Sequence, residues 1–103
     1  ALMFAQAQLD EANFKETELF SEIKLSESSL KKANNILNQH IAIQEEQIDY
    51  INRLESLPIG AVPSVDLYQA RKKADSLKFS TQGATANVEE SEGRIELLSN
   101  QLN

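Results

Sequence analysis

Pro58, Gly60 and Pro63 stand close together near the middle of a chain otherwise rich in helix-forming residues. Proline has no amide hydrogen to donate, and its ring clashes with the preceding turn, so no helix runs through this point. Glycine gives the backbone the freedom to reverse. The stretch from Arg53 to Ser64, RLESLPIGAVPS, is the one strong break, and long patterned segments lie on either side of it. The sequence therefore predicts an all-α fold, an antiparallel two-helix coiled-coil hairpin. Helix one is expected over about 2–57, the tip over 58–63 and helix two over about 64–103. The tip is unusually apolar for a loop: Leu57, Ile59, Ala61 and Val62. Exposed apolar surface of this kind marks a place where something docks.

Composition agrees with an extended molecule. The chain has 103 residues, no Trp, and only Phe4, Phe14, Phe20, Phe79, Tyr50 and Tyr68 as aromatic residues. A globular core of that size needs more large apolar groups, whereas a coiled coil buries only its seam. The net charge of −6 argues against nucleic acid as a partner, because phosphate binding needs a basic face. There is no cysteine, which removes disulfides and thiolate metal sites and is compatible with an oxidising compartment. The longest apolar run, Ala1 to Ala5, is far too short to cross a bilayer. The start at Ala1, without an initiator Met or signal peptide, reads as a piece cut from a longer protein.

The second segment carries the cleaner pattern. Leu67, Ala70, Ala74, Leu77, Thr81, Ala84, Val88, Ser91, Ile95, Leu98 and Leu102 alternate at steps of three and four, the signature of a left-handed coiled-coil seam. Gly83 and Gly93 each cost about 1 kcal/mol inside a helix; they read as tolerated surface glycines or as sites of close lateral packing. In the first segment the seam begins with Leu2, Ala5, Leu9 and Ala12. Glu16 interrupts it, and it resumes with Leu19, Ile23, Ser26, Leu30, Ala33 and Leu37. Beyond Leu37 the apolar track shifts to Ile41, Ile48 and Ile51, which predicts a stutter and local unwinding. A second stripe of Ile36, Ile43, Tyr50 and Leu57 runs beside it. Two stripes make a face wider than one partner helix needs. It is either a broad hairpin interface or a contact with something beyond the hairpin mate.

Pairs at i,i+4, namely Glu11–Lys15, Glu27–Lys31, Asp49–Arg53 and Glu90–Arg94, are expected to support the helices by about 0.2–0.5 kcal/mol each. Ser64 or Asp66 is expected to cap helix two. The cluster Ser26, Ser28 and Ser29 is a weak spot where helix one is open to a break. From Ser64 to Asn103 there is roughly 60 Å of helix at 1.5 Å per residue. Residues 18–57 match that length, which leaves residues 1–17 as an overhang.

Little here suggests catalysis. His40 is the only histidine, lies near the seam, and has no second ligand spaced to complete a metal site. Glu45 and Glu46 point in different directions on a helix. Glu18 and Glu22 share a face, but a two-helix hairpin has no cleft to desolvate them. Glu89, Glu90 and Glu92 read as a solvated face. We expect no enzyme activity, no cofactor and no metal. Arg71, Lys72 and Lys73 with Arg53 make the tip end locally basic, which reads as solubilising charge or as complementarity to an acidic partner.

The tip residues go beyond pattern. Arg53, Leu57 and Ser64 have the spacing R-x(3)-L-x(6)-S. This resembles the tip motif of the periplasmic adaptor proteins, or membrane fusion proteins, of bacterial tripartite efflux pumps and type I secretion systems. Gly60-Ala61-Val62 is similar to that family's G-A-V/I-S. Asp66-Leu67 followed by Ala70 is similar to the D-L-x-x-A that opens its second hairpin helix. The resemblance extends to ALMFAQAQLDEA, where the family's first hairpin helix leaves a lipoyl half-motif, and to IELLSNQLN, where the chain would re-enter it. Counting from Arg53 places the motif serine at Ser64; aligning on Gly60-Ala61-Val62 places it at Pro63.

The resemblance implies a non-enzymatic adaptor in the periplasm, with the full-length protein anchored to the inner membrane. It would join an inner-membrane transporter, of ABC or another class, to a TolC-type outer-membrane channel. The inner-membrane contacts would lie outside this chain. Six hairpins would form a hexameric tube whose tips meet the channel tips. Leu57 would fill an apolar groove, Arg53 would bond to carbonyls or carboxylates, and Ser64 would cap or hydrogen-bond. The competing reading is a generic antiparallel coiled-coil tether or signalling module, which needs no tip motif.

Overall fold

The computed structural model describes residues 2–103. Helix α1 spans Leu2–Glu55 and α2 spans Ser64–Leu102. There are no strands among the described residues, and the architecture is an all-α antiparallel hairpin. The chain divides into two compact units. One joins the segment up to Lys32 with the segment from Glu89; the other, which contains the turn, is Ala33–Val88.

The turn follows from its residues. At the end of α1 the Ser56 amide bonds to the Asn52 carbonyl at 3.1 Å, and Leu57 tightens onto Leu54 at 3.3 Å. The Ser56 hydroxyl donates to the Arg53 carbonyl at 2.8 Å, satisfying one of the last orphan acceptors. Helix α1 thus stops at Glu55, and Ser56 and Leu57 belong to the turn. Next, Ala61 bonds back to Pro58 at 3.0 Å across Ile59 and Gly60. Gly60 has φ 86°, the value that the third position of a type II turn requires. Helix α2 opens on the Pro63 carbonyl, which accepts from Asp66 at 3.0 Å and Leu67 at 3.2 Å. Pro63, rather than Ser64 or Asp66, therefore holds the cap position. Ser64 is the first helical residue, and the Asp66 carboxylate lies in the first turn, where the helix dipole favours it.

In the tip unit, the seam positions covered on α1 are Ala33, Leu37, His40, Gln44, Gln47, Ile51 and Leu54; on α2 they are Leu67, Ala70, Ala74, Leu77, Thr81, Ala84 and Val88, with Thr85 partly covered beside them. Both series step by three and four without a skip. Run antiparallel, they fall opposite one another as Leu54–Leu67, Ile51–Ala70, Gln47–Ala74, Gln44–Leu77, His40–Thr81, Leu37–Ala84 and Ala33–Val88. Two cross-helix bonds fix this register. The Gln47 side-chain amide donates to the Ala70 carbonyl at 3.0 Å, and Arg71 meets Glu55 at 2.7 Å.

The expected stutter is absent. The seam runs through His40, Gln44 and Gln47, while Ile41 and Ile48 stand on its flank, 37% and 43% exposed. Hydrophobicity alone follows the isoleucines. The backbone instead keeps a regular heptad, and Gln47 is satisfied by its hydrogen bond, which removes the penalty for placing an amide there.

In the other unit α1 covers Leu19, Ile23, Ser26 and Leu30, and α2 covers Ser91, Ile95, Leu98 and Leu102, with Ser99 partly covered beside Leu98. The serine cluster does not break α1: the helix is continuous, and Ser26 is its one buried residue, 6% exposed. A small side chain there matches the bulky Ile95 at the same level. Everything from Leu2 to Glu18 is helical and exposed, so the expected overhang is present. Its heptad track of Leu2, Ala5, Leu9 and Ala12 has no facing helix.

None of the four expected i,i+4 ion pairs closes; the one salt bridge among the described residues is Arg71–Glu55. Exposed pairs gain little in water and lose side-chain freedom. A Cβ built on Gly83 or Gly93 would meet nothing within 4 Å, so within this chain both are surface glycines.

Candidate docking site at the hairpin tip

The apolar tip is solvent-facing because two prolines and a left-handed glycine make the reversal too tight to fold its side chains back onto the helices. Ile59, at the apex of the turn, is fully exposed, and Leu57 is 49% exposed. Val62 alone among the turn residues is partly covered. On the first turns of α2, Val65 and Tyr68 extend the exposed apolar surface.

The basic groups around the tip are largely engaged within the chain. Arg71 is held by Glu55. The Lys72 ammonium lies 6.0 Å from the centre of the Tyr68 ring, a cation–π distance. Arg53 donates through Nε to the Asp49 backbone carbonyl at 3.4 Å, not to the Asp49 carboxylate. That bond steers the guanidinium along its own helix and leaves both terminal nitrogens for a ligand.

Beside the tip lies a groove of about 590 Å³. Ile43, Tyr50 and Arg53 of α1 form one wall, and Asp66 and Lys73 of α2 form the other, with Ala70 in the floor. The groove lining is mixed, with Glu46 and Asp66 set against Arg53 and Lys73 and with Ile43, Tyr50 and Leu77 as the large apolar members, which suits a partner with both apolar and paired polar groups rather than a simple anion.

Arg53 lines the groove, but Leu57 and Ser64 do not. Leu57 belongs with Ile59 on the apex, and Ser64 is an exposed residue at the start of α2. The structure adds Tyr50 and Lys73 to the candidate surface. Tyr50 was visible as a member of the second stripe; Lys73 was hidden in a run of basic residues that spacing alone does not resolve.

Among the described residues no group of His, Cys, Asp and Glu is placed to hold a metal ion, and no helix is long and apolar enough to cross a membrane. Comparison with family models, curated proteins and solved structures found no match.

Proposed function

We propose that this chain is the helical hairpin of a non-enzymatic periplasmic adaptor, linking an inner-membrane transporter to a TolC-type outer-membrane channel by tip-to-tip docking. The observation that carries the reading is the tip itself. An R-x(3)-L-x(6)-S spacing coincides with an exposed apolar apex, Leu57 and Ile59, and with an Arg53 guanidinium whose terminal nitrogens are free, at the end of two long helices. Leu57 and Ile59 supply apolar area. Arg53 supplies donors in a rigid fork suited to carbonyls or carboxylates. The exposed stripe of Ile36, Ile43 and Tyr50 supports lateral packing of neighbouring hairpins into a hexameric tube within the full assembly.

The test is binding of this hairpin to the α-barrel tip of a matching channel, in a tethered or crosslinked format, for the native chain, Arg53→Ala and Leu57→Ala. Loss of binding in both variants with unchanged helicity supports docking through the tip. Binding indifferent to both substitutions, or none in any format, favours the coiled-coil tether.

A further inference from the structure

The α1 segment from Leu37 to Ile51 contains two complete heptad tracks, and only one is in use. The occupied track is Leu37, His40, Gln44, Gln47 and Ile51. The unoccupied one is Leu37, Ile41, Gln44, Ile48 and Ile51, which has the same alternation of fours and threes. The two share Leu37, Gln44 and Ile51. They differ only in exchanging His40 for Ile41 and Gln47 for Ile48. Because neighbouring helix positions are 100° apart, moving the seam from one track to the other takes an axial rotation of about 50°.

We propose that α1 between Leu37 and Ile51 is a two-state element, switching by axial rotation between the polar seam and an isoleucine seam. Three observations carry this. First, the occupied seam is polar at three consecutive levels, His40, Gln44 and Gln47, while Ile41 and Ile48 remain 37% and 43% exposed beside it. Second, α2 offers small or short residues where the isoleucines would arrive: Ala74 faces Gln47 and Thr81 faces His40. An isoleucine therefore enters without displacing a bulky side chain. Third, one side-chain bond, Gln47 to the Ala70 carbonyl, opposes the rotation across the seam. That carbonyl also lies within the regular helix of α2, so losing the glutamine does not orphan it.

The rotation has a consequence at the groove. Ile43 and Tyr50 stand on the opposite flank of α1 from Ile41 and Ile48. As the isoleucines turn inward, Ile43 and Tyr50 swing away from α2, and the groove that holds Arg53 loses that wall. The two-seam proposal stands whether or not the tip docks on a channel; only its coupling to docking rests on the function proposed above.

Cysteine crosslinking tests it, since the native chain has no cysteine. Gln47→Cys/Ala74→Cys reports the occupied seam, Ile48→Cys/Ala74→Cys the rotated one, and Asp49→Cys/Ala74→Cys, on the far face, is the control. Disulfides form only when the Cβ atoms come within roughly 4.5 Å. Both of the first two pairs should close and the control should not. Adding His40→Leu to the Ile48→Cys/Ala74→Cys chain makes the occupied seam more apolar, with Gln44 and Gln47 as its remaining polar levels, and should slow closure roughly tenfold or more. An Ile48 pair that closes no faster than the control, or that ignores His40→Leu, overturns the proposal. Should the cysteines disturb folding, methyl NMR of the cysteine-free chain gives the same answer. Exchanging Ile41 and Ile48 signals that collapse to one set in His40→Leu/Gln47→Leu support it, and a single set in the native chain refutes it.

Discussion

Leu97 and Leu98 are adjacent, chemically identical and on the same helix, yet the structure assigns them opposite fates. Leu98 is 8% exposed in the seam at the level of Ile23; Leu97 is 60% exposed. Truncating Leu98 to alanine removes buried hydrocarbon worth about 2–2.5 kcal/mol at 0.8 kcal/mol per methylene. A two-helix seam is open at its sides, so water reaches the gap and the cavity penalty is small. The total should fall near the bottom of the roughly 2–5 kcal/mol range for core Leu→Ala changes. At about 4–8 °C per kcal/mol for a chain of this size, the expected loss in Tm is roughly 10–20 °C. Leu97→Ala loses little burial and gains slightly in helix propensity, so it should stay within about 0.5 kcal/mol of the parent. Thermal melts of the helical circular-dichroism signal measure both. If Leu97→Ala costs as much as Leu98→Ala, α2 does not present the face described here, and the seam assignment fails from Ser91 onward.

Gly83→Ala and Gly93→Ala should each stabilise the isolated chain by roughly 0.5–1 kcal/mol, because the added methyl meets nothing; destabilisation in a denaturant titration would show that something packs against those positions. Gly60→Ala should cost about 1–2 kcal/mol from backbone strain alone, since φ is 86° and the space around the new Cβ is empty; an unchanged unfolding midpoint would refute the turn geometry. The Arg71–Glu55 pair is more than 40% exposed on both sides, so a double-mutant cycle should return less than about 1 kcal/mol, falling further in high salt.

The sequence reveals α2 in full because an aliphatic, alanine, serine or threonine occupies every seam position from Leu67 to Leu102. It reveals α1 from Leu19 to Leu37 for the same reason, whereas Leu2, Ala5, Leu9 and Ala12 carry the same spacing and stay exposed. Past that point the seam carries His40, Gln44 and Gln47, and a reading based on hydrophobicity moves onto Ile41 and Ile48. Nothing local marks Gln47 as a seam residue; its bond to Ala70 exists only once the hairpin has closed. Ser26 misleads in a similar way. A serine cluster suggests a break, but opposite Ile95 a small side chain is what the packing needs. The turn is legible because Pro58, Gly60 and Pro63 act through backbone sterics, which do not depend on the rest of the fold. The cap is not, because it is made by a carbonyl, and every residue has one. At the tip, the spacing of Arg53, Leu57 and Ser64 is plain in sequence, but their division between groove, turn and helix start depends on where α1 stops and α2 begins.

The tight reversal at Gly60 also sets an order of events in time. Leu54 and Leu67 are near neighbours in the chain, whereas Leu19 and Leu102 are almost a chain length apart, and closing a longer loop costs more entropy. Pairing should begin beside the turn and proceed outward, each new level shortening the loop that the next must close. The first levels to form, Leu54–Leu67 and Ile51–Ala70, are apolar, and the polar levels come next. Folding of this hairpin should thus meet its weakest grip soon after it starts, and substitutions at the bend should change its rate more than substitutions far along the helices.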